Sequence, residues 1–210
     1  MSDESVKGIG FTAKRRFIEL RDGLDSIMKE IESDSHRATA VVAGAFVQER
    51  LLHAIRGRLI QDDNLCDEIF MPGRAIGDFG AQINLGYLMG IYTKAAQREL
   101  YSIRKLRNDF AHTMEVNNFE TQKISALCAN LKIWETVRII VNTTKFKSGG
   151  EFEITIGHYD GELNNEIFSI TDERKDNLSA KERYTRACMF YVTAFSLIKH
   201  RPIQIPAPIF

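Results

Sequence analysis

A chain of 210 residues, 44% hydrophobic and 27% charged, has the length of one domain with a sizeable core and the composition of an ordinary globular protein. Its 28 basic and 28 acidic residues cancel, which argues against a domain that coats DNA or RNA and confines any nucleic-acid contact to a local patch. Cys66, Cys128 and Cys188 are far apart and have no Cys or His at ligand spacing, so neither a zinc site nor a disulfide framework is signalled and reduced thiols are expected.

Residues 1–11 read as a polar lead-in, with an acidic start unlike a secretory signal. From Thr12 to Glu32, Phe17, Leu20, Leu24, Ile27, Met28 and Ile31 recur at three- and four-residue steps, which predicts an amphipathic helix. Ser33-Asp34-Ser35 breaks it and supplies a cap for a second helix, Ser35 to Leu59. The first half of that helix, Ala38 to Val47, is apolar on nearly all sides, with Gly44 and Ala45 at its centre. It should be buried on several sides and let another helix approach closely. The second half turns amphipathic, with Leu51, Leu52, Ile55 and Leu59 inward and His53 partly exposed.

Leu65 to Phe70 predicts a helical turn, and Met71-Pro72-Gly73 ends it. The glycines from Gly73 to Gly80 precede no Lys-Ser/Thr pair, so this is not a phosphate-binding P-loop. A helix from Phe79 to Met89 follows, with Ile83, Tyr87 and Leu88 as core candidates, Gly90 as its C-terminal stop and Thr93 as the cap of the next. That next helix runs from Thr93 to Thr113. Asn117-Asn118 makes a turn, and Phe119 to Asn142 reads as one long amphipathic helix with Trp134 as a core anchor. Residues 143–178 break the pattern: 152–156 and 166–171 alternate at period two, which suggests an irregular or β-hairpin insertion and the only strand content of the chain. A last helix spans Ser179 to Lys199, with Tyr184, Cys188, Tyr191, Val192, Phe195 and Ile198 inward, and the tail 201–210 carries three prolines. The fold expected is an all-α, multi-helix bundle in a single domain: core 12–142, insertion 143–178, final helix 179–200. The longest near-apolar run, Ala187 to Ile198, is too short to cross a bilayer, so no membrane contact is expected.

One stretch carries a chemical constellation, Ile103 to His112. At about 100° per residue Leu100, Ile103, Leu106 and Phe110 share an apolar face, while Tyr101, Arg104, Lys105, Asn108 and His112 lie opposite and Arg107 sits on the border. An imidazole near neutral pH can act as acid or base, and a guanidinium can hold a phosphate in its fork. Arg107 lies about 140° from His112 around the helix, so it must bend round or be supplied by a second subunit. The same residues also have a structural reading: His112 favours the helix C-terminus, Arg107 pairs with a carboxylate and Asn108 bridges. A third reading is a non-catalytic phosphate or nucleotide site, with Arg104 and Lys105 as phosphate or partner contacts. No cofactor or metal is implied. The cluster Lys14-Arg15-Arg16 and the histidines His36, His158 and His200 carry no further signal.

Three segments, 40–52 (AVVAGAFVQERLL), 79–91 (FGAQINLGYLMGI) and 103–112 (IRKLRNDFAH), together resemble the mannitol operon repressor family in order and spacing. The likeness extends over about residues 35–141, with an echo in the last helix. That family is all-helical and lacks a recognisable DNA-reading helix. The resemblance therefore implies a cytoplasmic regulator that works through protein contacts, as a homodimer, with weak or no specific DNA binding. The segment Arg107 to His112 also resembles the signature of the HEPN helical superfamily, an Arg and a polar residue followed by a His. Nuclease members bring two such motifs together across a dimer and cut RNA without a metal. Arg107, Asn108 and His112 match residue by residue, which implies an alternative function as a metal-independent endoribonuclease. The segment 143–178 is longer than the repressor resemblance leads one to expect.

Overall fold

A helix of small apolar residues lies at the middle of the protein. In the computed structural model, which describes residues 26, 27, 29, 31, 35–60, 62–113, 118–136, 138–142, 153–157, 167–169 and 177–198, this helix is α1 (His36–Arg56). Ser35 caps it by accepting the Ala38 N–H at 3.2 Å, and it stops at Gly57. Thr39, Ala40, Ala43, Gly44, Val47, Leu51, Ala54 and Ile55 are buried against α3 (Phe79–Leu88), α4 (Lys94–His112) and α7 (Ala180–Ser196). The central place expected of this helix is therefore found. One side of its apolar half nevertheless stays open, since Ala45 is exposed and Val41, Val42 and Phe46 are only half-buried.

α1 and α4 run antiparallel. Arg107 of α4 lies beside Gly44 of α1, and the Arg37 guanidinium in the first turn of α1 donates to the carbonyls of Phe110 and Thr113, the latter at 3.2 Å. Those are carbonyls a helix end leaves without partners. Gly44 makes the approach possible: a Cβ there would sit 2.9 Å from Arg107 Cβ and 3.0 Å from both Arg107 Cγ and Tyr184 Oη. Alanine at this position gains about 1 kcal/mol of helix propensity and meets an overpacking cost of about 1–3 kcal/mol. Gly44→Ala is thus expected to lower stability in urea unfolding, and a stabilised variant would show that the helices have room to part.

α2 (Asp63–Phe70) is capped by Asp62, and its Asp67 pairs with Arg56 at 2.9 Å. α3 starts at Asp78, whose Oδ1 accepts the N–H groups of Gly80 and Ala81 at 2.7 and 3.2 Å. It ends before Gly90, which takes φ +68° as the stop residue requires. Thr93 then caps α4 through the Ala96 N–H. Ile83 is buried as expected, but Leu88 is 79% exposed. Leu88 is five positions from Ile83, about 140° round the helix, and so cannot share its face.

The expected long helix from Phe119 to Asn142 is not one helix. It divides into α5 (Gln122–Ala129), α6 (Ile133–Thr136) and a strand, β1 (Arg138–Asn142). The apolar spacing suits a helix, but Ile139, Ile140 and Val141 are β-branched, and such residues lose rotamer freedom in a helix and favour a strand. β1 lies at the centre of a three-stranded sheet, between β2 (Glu153–Gly157) and β3 (Ile167–Ser169), antiparallel to both. Ile140 faces Thr155 on one side and Ser169 on the other. Strand content is therefore not confined to 143–178, and β2 and β3 flank β1 instead of forming a hairpin together.

α7 opens with a capping box, Ser179 and Glu182 each bonding the other's backbone N–H. Tyr184, Cys188, Tyr191, Val192 and Phe195 are buried and Ile198 half-buried. The protein is a helical bundle, and no described helix is long and apolar enough to cross a membrane. Of the predicted first helix, 26, 27, 29 and 31 are helical, with Ile27 and Ile31 buried. Residues 1–25 with the Lys14-Arg15-Arg16 cluster, the side chain of Trp134, His158, His200 and the tail lie outside the described residues.

Candidate functional site

α4 presents the constellation. Its apolar stripe is fully in the core, with Leu100, Ile103, Leu106 and Phe110 at 0% exposure. Phe110 stacks on Phe119, ring centroids 4.7 Å apart, and Phe119 on Tyr184 at 5.5 Å. This packing fixes the rotation of α4 and so decides where its polar residues point.

Arg107, on the border of the stripe, turns inward toward α1 and α3. Its Nη1 donates to Gln48 Oε1, and Nε and Nη2 donate to Asn108 Oδ1 at 3.3 and 3.2 Å. The guanidinium stands 5.4 Å from the centre of the Phe79 ring, a cation–π contact. Burial pushes its pKa down; the nearby Tyr184 opposes that shift and the Arg104 charge adds to it. The carboxylate partner expected from the sequence is replaced by two neutral amides. Arg104 lies over the start of α3, its Nη2 3.9 Å from Asp78. Lys105 is exposed, and Asp109 pairs with Lys123 at 2.9 Å. His112 is exposed on the last turn of α4, with no bond to another described residue. The structure thus brings Arg107 and Asn108 together, sets Arg104 nearby and leaves His112 apart at the helix end.

Sequence reasoning missed the residues that hold this arrangement. Gln48 stands four positions after Gly44, on the same face of α1, and that spacing alone could have marked it as a partner for whatever passes Gly44. Tyr184, fully buried, donates to the Ala40 carbonyl at 2.8 Å and stands over Gly44, locking α7 to α1. Its hydroxyl is pushed well above the usual tyrosine range by burial. His36 accepts the Phe119 N–H on Nδ1 at 3.2 Å, which gives it a structural use.

Glu99, also on α4, is the least expected. It is buried, and its Oε1 accepts the N–H groups of Lys132 and Ile133 at 2.7 and 2.9 Å while Oε2 accepts the Tyr191 hydroxyl at 3.2 Å. Burial raises its pKa, and Glu135 adds to that, against the lowering effect of the three hydrogen bonds. Glu99 therefore ties α4 and α7 to the start of α6, where the chain leaves the bundle for the sheet. Among the described residues no three His, Cys, Asp or Glu side chains gather where a metal ion could be held. Comparison with family models, curated proteins and solved structures gives no match to this chain.

Proposed function

We propose that this chain is a regulatory protein of the mannitol operon repressor kind, acting in the cytoplasm through self-association and contacts with a protein partner. The observation that carries this reading is the use of Arg107 inside the protomer. Bound to Gln48, Asn108 and Phe79, it joins three helices and is engaged before any substrate arrives. Exposed apolar side chains, Ile60, Leu65, Met71 and Leu88, offer material for protein contacts. The balanced charge of the chain leaves few phosphate contacts for DNA.

Two solution measurements test it. Sedimentation is expected to show a homodimer, and a monomer at every concentration would contradict the self-association. In fluorescence anisotropy, DNA binding is expected to be weak, insensitive to sequence and quickly lost with added salt. A tight, sequence-specific complex at physiological salt would instead mark a direct operator-binding repressor.

A second reading, a metal-independent endoribonuclease, rests on the exposure of His112, whose imidazole is open to a second subunit or a substrate. Under it, Arg107 and Asn108 would hold the RNA phosphate and His112 would move the proton, across a dimer.

A further inference from the structure

Two guanidiniums of α4 gather over the start of α3, Arg104 beside Gly80 and Arg107 above the Phe79 ring. Arg104 and Arg107 stand three positions apart on α4, close enough for their side chains to be neighbours. The Arg104 guanidinium packs over Gly80, where an added Cβ would come within 3.3 Å of its Cζ and Nε. This is the first turn of α3, the positive end of the helix dipole, where a cation is disfavoured. Among the described residues the carboxylate beside it is Asp78, 3.9 Å away and 68% exposed, and its Oδ1 is already committed to Gly80 and Ala81. Among the described residues Arg107 has only amide oxygens as acceptors, which occupy three of its five N–H donors. Two donors remain on a guanidinium already fixed in place, so little further ordering is needed for it to grip a ligand.

We propose that Arg104 and Arg107 form a seat for a single phosphate group carried by a small phosphorylated molecule. Two guanidiniums suit a dianion with three terminal oxygens better than a carboxylate, which a single fork satisfies. The seat is confined to one turn of one helix in a chain with no net charge, which fits a single phosphate and not a polyanion track. This inference goes beyond the protein-contact reading and does not depend on it: it supplies an effector site to a protein that regulates by contact.

The test is a titration of the full chain with inorganic phosphate, followed by thermal melting at constant ionic strength set with chloride, with acetate as a carboxylate control. Phosphate is expected to raise the melting temperature saturably and acetate to leave it unchanged. Arg104→Gln, a change at a partly exposed side chain, is expected to weaken the apparent phosphate affinity by about tenfold, the loss of one charge-assisted hydrogen bond. Lys132→Gln, a change at an exposed lysine outside the pair, should leave the affinity as it is. A non-saturating phosphate response, an equal response to acetate, unchanged affinity in Arg104→Gln or an equal loss in Lys132→Gln would each overturn the assignment.

Discussion

Glu99→Ala is expected to destabilise the protein by about 3 kcal/mol, the largest effect of any single change considered, while Glu99→Gln is nearly neutral. Alanine leaves the Lys132 and Ile133 N–H groups and the Tyr191 hydroxyl without their acceptor. Glutamine keeps the pattern, because its oxygen takes both backbone donors and its amide nitrogen can donate to Tyr191 in reversed sense. The same geometry admits a protonated Glu99, with Oε2–H donating to the tyrosine oxygen. The pH dependence follows from the raised pKa. The folded state binds this proton more tightly than the unfolded chain, so the stability Glu99 contributes is complete below its ordinary value of 4.5 and is lost as pH rises through the raised value. Tyr191, Tyr92 and Cys188 lie on that side with pKa values raised by burial, away from the acid range, and the comparison with Glu99→Gln isolates what Glu99 itself contributes. Urea unfolding across this window should show a loss for the wild type that Glu99→Gln lacks. Parallel profiles for the two proteins would contradict the account.

Arg107→Ala ranks next, at about 2 kcal/mol. It removes bonds to Gln48 and Asn108 and the contact with Phe79, and with them one polar link of α4 to α1 and one contact of α4 with α3. A cycle with Gln48→Ala separates this link from mere loss of a side chain, since the two effects should be less than additive. Full additivity would mean that the pair does not couple. The result also bears on function, because a residue kept free for catalysis should be removable at little cost in stability.

Much of the helical scaffold was legible because its signals are local. The stripe Leu100, Ile103, Leu106 and Phe110, the caps Ser35 and Thr93, and the stop at Gly90 each depend on a few neighbouring residues and the helical period. The stretch 119–142 was misread because periodicity alone could not weigh Ile139, Ile140 and Val141 as strand formers pairing with segments far along the chain. At the site, sequence singled out Arg107 and Asn108 but could not supply Phe79 or Tyr184, which come from other helices, and the spacing of Gln48 from Gly44 went unread. Glu99 was hidden for the same reason. A glutamate in an amphipathic helix normally faces water, and the approach of α6 and of Tyr191 from α7 buries it.

The central claim is that the Arg107–His112 segment serves the architecture and its contacts and not a nuclease reaction. Incubating purified protein with labelled single-stranded RNA in excess chelator, beside Arg107→Ala and His112→Ala, tests it most directly. The account predicts that the RNA stays intact with all three proteins, and that Arg107→Ala differs only in its lower melting temperature. Cleavage by the wild type that survives chelator and disappears in His112→Ala would contradict it and establish the endoribonuclease in its place.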